Sequence, residues 1–127
     1  MFELTIKGEI YSFNFGMGFL REINRTLSQP VDGIPDARQN VGLRYKIAGI
    51  MDGDIEALVD VLAIASKGCK PQCSKQLLDE YIDDADTDID ALFKEVLDFL
   101  SNANATKKTV EMLTEAIEKQ KANNANK

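Results

Sequence analysis

The chain has 127 residues, 44% of them hydrophobic, with 15 basic against 21 acidic side chains, a net charge of −6 and a pI near 4.6. At ~150 residues per domain the length fits one domain, and the acidity argues against a broad phosphate-binding face, which needs clustered Lys and Arg. Histidine and tryptophan are both absent. Without His the chain lacks the commonest general base, the commonest metal ligand and any Ser–His or Cys–His pair.

The N-terminus alternates. Phe2, Leu4 and Ile6 interleave with Glu3, Thr5 and Lys7. After Gly8-Glu9, Ile10, Ser12 and Asn14 interleave with Tyr11, Phe13 and Phe15. Period 2 on both sides of a glycine-containing turn predicts a β-hairpin. A lone hairpin is marginal in water, so one face must pack on something else. The remainder predicts helix. Phe19, Leu20, Ile23 and Leu27 follow Gly16-Met17-Gly18 at helical spacing. Residues 28–37, with two prolines and a glycine, predict a loop. Leu43, Ile47, Ile50 and Met51 mark a second helix, and Asp52-Gly53-Asp54 stops it and caps a third. The third, from Ile55 to about Lys67, has a wide apolar arc and is expected to be central. Ser74 caps a short helix with Leu77, Leu78, Tyr81 and Ile82. Thr87 is the expected cap of a strong helix carrying Ile89, Leu92, Phe93, Val96, Leu97 and Leu100. Thr106 is the expected cap of the last helix, with Val110, Leu113, Ala116 and Ile117.

The expected fold is therefore α+β, mostly α, with an N-terminal β-hairpin packed on about five or six helices. Residues 1–119 form one domain, and residues 120–127 form a polar tail that frays. Leu58, Val59, Leu62, Leu92, Phe93, Val96 and Leu97 are expected in the core. The first residues lack the pattern of a signal peptide, and no run approaches the ~18 apolar residues of a membrane span. The expectation is a soluble intracellular chain.

Charge concentrates in the middle. Residues 1–50 hold 6 basic and 5 acidic side chains, residues 51–105 hold 4 and 13, and residues 106–127 hold 5 and 3. Asp84, Asp86, Asp88 and Glu95 occupy positions 1, 3, 5 and 12 of a calcium-loop pattern. Position 6, where that loop turns sharply on glycine, is Ile89. A β-branched residue resists positive φ, and Ile89 also opens the next apolar stripe, so a capped helix N-terminus is the favoured reading. Cys69 and Cys73 form CxxxC, two thiols too few for tetrahedral zinc and off the redox spacing. Gly16 and Gly18 lack the third glycine and the lysine of a phosphate loop. The Phe13, Phe15, Phe19, Leu20 cluster is read as core, with a partner-binding apolar face as its rival. No catalytic constellation remains, and the sequence predicts neither cofactor nor metal.

Four stretches in order resemble the tail assembly chaperones of long-tailed (siphovirus-type) bacteriophages, in the version common among phages and prophages of Gram-positive bacteria. They are LTIKGEIYSFNFGMGFLREIN (Leu4–Asn24), DGDIEALVDVLAIASKG (Asp52–Gly68), YIDDADTDIDALFKEVLDFL (Tyr81–Leu100) and NATKKTVEMLTEAIEKQK (Asn104–Lys121). The order and spacing carry the resemblance and span nearly the whole chain. The resemblance implies a non-enzymatic protein that coats the tape measure protein, keeps it soluble and helps recruit tail tube subunits. It implies action in the cytoplasm of the bacterial host and absence from the mature virion. It also implies a longer frameshifted form with a tube-binding region, of which this chain would be the short form. The expected partners are the tape measure protein, the tail tube protein and further copies of the chain, without nucleic acid or membrane. Chain-terminal elements can be exposed at little cost to a central core, so Phe13, Phe15, Val110, Leu113 and Ile117 are the residues expected to face a partner. An acidic DNA mimic is the alternative, motivated by the acids between Asp79 and Asp98, followed by a degenerate calcium-binding helix-loop-helix.

Overall fold

The computed structural model describes residues 1–125. Strands β1 (Phe2–Ile6) and β2 (Glu9–Phe13) pair antiparallel, with Phe2 opposite Phe13 and Leu4 opposite Tyr11. The connection is the two-residue turn Lys7-Gly8, both at positive φ (53° and 81°). That geometry matches the twist of the flanking strands. Phe2, Leu4, Ile6, Tyr11 and Phe13 face the interior and are buried, while Glu3, Thr5 and Lys7 face outward. The hairpin is anchored where it ends: the Asn14 N–H donates to the Ala65 carbonyl at 2.9 Å.

Helix α1 (Met17–Asn24) buries Phe19 and Ile23. Phe2, Phe13, Phe15, Phe19 and Phe99 form one aromatic cluster, with tilted or edge-on pairs at centroid distances of 5.1 Å (Phe15–Phe19) to 6.1 Å (Phe2–Phe15). Such arrangements place the positive ring edge against the negative face.

Residues 28–37 are not the plain loop that their prolines suggest. Strands β3 (Ser28–Pro30) and β4 (Arg38–Asn40) pair antiparallel across them. The strands are short and polar, so no alternation of apolar residues signals them. The Arg38 guanidinium reinforces the pair by donating to the Ser28 hydroxyl and carbonyl, both at 3.1 Å.

Helix α2 (Gly42–Met51) begins tightly against the end of α1. A Cβ at Gly42 would lie 1.9 Å from the Ile23 carbonyl oxygen, so only glycine fits that approach. Leu43 N–H donates to the Asn24 side chain. At the corner after α2, Gly53 takes φ 83° and Asp54 caps α3 (Ile55–Ala65), accepting from Glu56 and Ala57 N–H. Leu58, Val61 and Leu62 of α3 are fully enclosed, and α3 packs against α1, α2 and α4. The wide apolar arc thus does mark the central helix.

Ser74 caps α4 (Lys75–Asp83) as the sequence suggests. The cap of α5 differs from expectation. Asp88, not Thr87, accepts the Ala91 N–H at the start of α5 (Ile89–Asn102). Thr87 instead donates its hydroxyl to the Tyr81 carbonyl at 2.6 Å, closing the end of α4. Thr106 stands at the start of α6 as expected, its carbonyl accepting the Val110 N–H, but its buried hydroxyl donates to the Leu100 carbonyl at 2.6 Å, tying off α5. A threonine hydroxyl beside a helix end can serve either orphan carbonyls or orphan N–H groups, and spacing does not say which. Helix α6 (Lys107–Ala125) packs on α5 and α2. The stretch expected to fray is helical through Ala125, and residues 126 and 127 lie outside the described residues. The architecture is α+β, mostly α, with the hairpin against the helical body as expected and the small second sheet added.

Candidate functional site

Helix α5 has an inner and an outer apolar stripe. Leu92, Val96 and Leu100 repeat every four residues and are buried. Ile89, Phe93 and Leu97 repeat at the same interval one position away, which turns them ~100° around the helix. They stay half-buried, so the expectation that Phe93 and Leu97 sit wholly in the core is corrected. An apolar arc this wide exceeds the surface that α2 and α6 cover.

The outer stripe walls a groove of about 560 Å³. Its opposite wall is the α2–α3 corner, with Met51 half-buried and Ile55 42% exposed, and the enclosed Ile50 also lines it. Asp90, Lys94 and Asp98 of α5 border it. A second groove of about 480 Å³ runs on the other side of α5, lined by Phe2, Phe99 and Ala103 with Glu95, Asp98 and Asn102. Asp98 stands between the two. Each groove is an apolar trough with carboxylates at its edge, suited to holding an apolar segment.

The five residues expected to face a partner divide. Phe13 and Phe15 are packed in the aromatic cluster, 0% and 4% exposed, and Val110 is buried where α6 meets the body. Core packing removes these three from the free surface. Leu113 and Ile117 remain half-buried along α6. The outer stripe of α5 was missed as a surface because periodicity alone counts it with the buried face. The available signal was the excess width of its apolar arc.

The calcium-loop pattern resolves into helix ends. Asp84 accepts the Asp86 N–H at 3.0 Å, Asp88 caps α5, and Ile89 is already helical. Among the described residues no group of three or more Cys, Asp or Glu side chains is placed to hold a metal. Both cysteines are free, and burial pushes the Cys73 thiol up to about 11, which favours the inert protonated form. Several acids are paired. Glu80 meets Lys7 at 2.6 Å, and Asp60 lies between Lys46 (2.7 Å) and Lys75 (2.6 Å). Burial alone would raise the Asp60 carboxyl, but hydrogen bonds and charge from the two lysines outweigh it and hold the group below the usual range. Among the described residues no helix is long and apolar enough to cross a membrane.

This geometry, a helical body with open apolar troughs, suits a protein that binds other proteins. The family model for the phage tail assembly chaperone protein, TAC, matches residues 3–115. The chain belongs to that family. No curated protein and no solved structure matches it.

Proposed function

We propose that this tail assembly chaperone binds the tape measure protein, keeps it soluble and helps recruit tail tube subunits, the last through a longer frameshifted form. It works by binding, without catalysis, in the cytoplasm of the bacterial host, and leaves before the virion matures. The observation that carries this reading is the family match across residues 3–115. The open apolar surface along α5 supports it, because a holder of an aggregation-prone chain must offer apolar contact. Each Å² removed from water contributes ~25 cal/mol. Several weak contacts along one long partner reinforce each other through effective concentration. Many copies would then line one partner and touch each other. The chain's net charge of −6 keeps such a surface soluble.

Co-expression with the tape measure protein of the same phage tests this. The expected result is conversion of that protein from the insoluble to the soluble fraction, in a complex that needs no ATP. Two proteins that never associate, at low or at high salt, would refute the assignment. Association that vanishes at moderate salt would keep the partner and reject apolar burial as the mechanism, since screening acts on exposed charge pairs.

A further inference from the structure

We propose that the groove between the α2–α3 corner and α5 docks an amphipathic helix whose apolar stripe is flanked by lysine or arginine. The inference deepens the reading of the chain as a chaperone for a long partner protein and rests on it. Ile89, Phe93 and Leu97 present side chains at successive turns over ~12 Å of helix, and Met51 and Ile55 face them across the trough. A helix laid there would meet apolar anchors spaced at i, i+4 and i+8, as in helix-in-groove recognition.

Charge selects the occupant. Asp90 and Asp98 are exposed on α5 at the border of the trough. Asp52 is also exposed at the corner, next to the lining residues Met51 and Gly53, whereas the Asp54 carboxylate is taken up in capping α3. Lys94 is the one cation among the lining residues. An acidic border over an apolar floor attracts a helix with basic flanks and repels an acidic one. Two other troughs are less suited. The trough under α6 is lined by Asn24, Gln39, Asn40 and Arg44 as well as apolar groups, and the one beside Asp60 holds Lys46, Lys67 and Lys75.

The test measures affinity for the tape measure protein of the same phage with wild type, with Asp90→Lys/Asp98→Lys, and with Asp32→Lys/Glu118→Lys. The second pair makes the same change in charge at exposed positions on the β3–β4 connection and on α6. All four positions are exposed, and melting temperature checks folding. A parallel series uses Phe93→Ser and the conservative Phe93→Leu. The expected result is at least a tenfold loss for Asp90→Lys/Asp98→Lys and for Phe93→Ser, with near wild-type binding for the control pair and for Phe93→Leu. Equal binding by wild type and the groove variants overturns the groove while leaving the chaperone reading intact. Equal losses in groove and control pairs also overturn it, showing only a response to net charge. If the groove variants instead abolish self-association and leave tape measure binding unchanged, the occupant is a second copy and the proposal fails. Wild type that does not bind the tape measure protein refutes the chaperone reading and the groove together.

Discussion

Helices α3 and α5 look alike in sequence, since both carry leucines and other large apolar residues beyond a single stripe, yet they serve different ends. On α3 Val59 and Val61 are covered, because α1, α2 and α4 surround the helix, while Ala63 and Ile64 stay half-buried. On α5 the extra residues Ile89, Phe93 and Leu97 lie at the edge of what α2 and α6 cover. The same excess of apolar residues therefore means a central core in one place and a contact surface in the other. Neighbours decide which, and neighbours are a property of the fold.

That contrast breaks first on stability. Leu62→Ala in α3 removes a fully enclosed side chain and should cost ~2–5 kcal/mol, the range for large-to-small changes in a core. Chemical denaturation measures it, and a loss below about half a kcal/mol would show that α3 is not central. Phe93→Ala in α5 should cost about 1 kcal/mol, because only part of the ring leaves a buried setting. A Phe93→Ala loss equal to that of Leu62→Ala would erase the distinction between the helices.

Acid sharpens the contrast from the α3 side. Asp60 on α3 has a carboxyl held below its unfolded value by Lys46 and Lys75. With the folded value depressed, its stabilising contribution is present above the unfolded pKa, ~3.9, and is lost as pH falls through the folded value. The stability gap between wild type and Asp60→Asn should therefore narrow as pH drops from about 5 to below 3. A gap that widens on acidification would contradict the ion-pair assignment. The smallest expected effect is on α5. Millimolar calcium should leave the melting temperature unchanged, since a ligand stabilises only by binding the folded state. A rise of several degrees that disappears in Asp84→Ala would revive the calcium loop.

Much of this fold is legible in the sequence. Strict alternation identifies the hairpin, and Asp54 and Ser74 mark helix starts that the structure keeps. The β3–β4 pair is illegible because Ser28–Pro30 and Arg38–Asn40 bury no apolar face and are held by backbone and arginine hydrogen bonds. Thr87 misleads because a hydroxyl near two helix ends has two possible jobs. The requirement for glycine at position 42 comes from the carbonyl of Ile23, a neighbour invisible to local pattern. The site is only half legible. Aromatic residues at the N-terminus draw the eye, yet Phe13 and Phe15 complete the core. On α5 the apolar residues left half-buried are ones that a helical wheel assigns to the inside.

Hydrogen exchange on the chain, alone and bound to the tape measure protein, tests most directly whether α5 is the working face. Binding slows exchange where it suppresses local opening. New protection is expected across residues 50–56 and 89–99, the two walls of the groove, with little change within α3 beyond its first turn. New protection confined to the hairpin or to α6, with residues 89–99 unchanged, would contradict it.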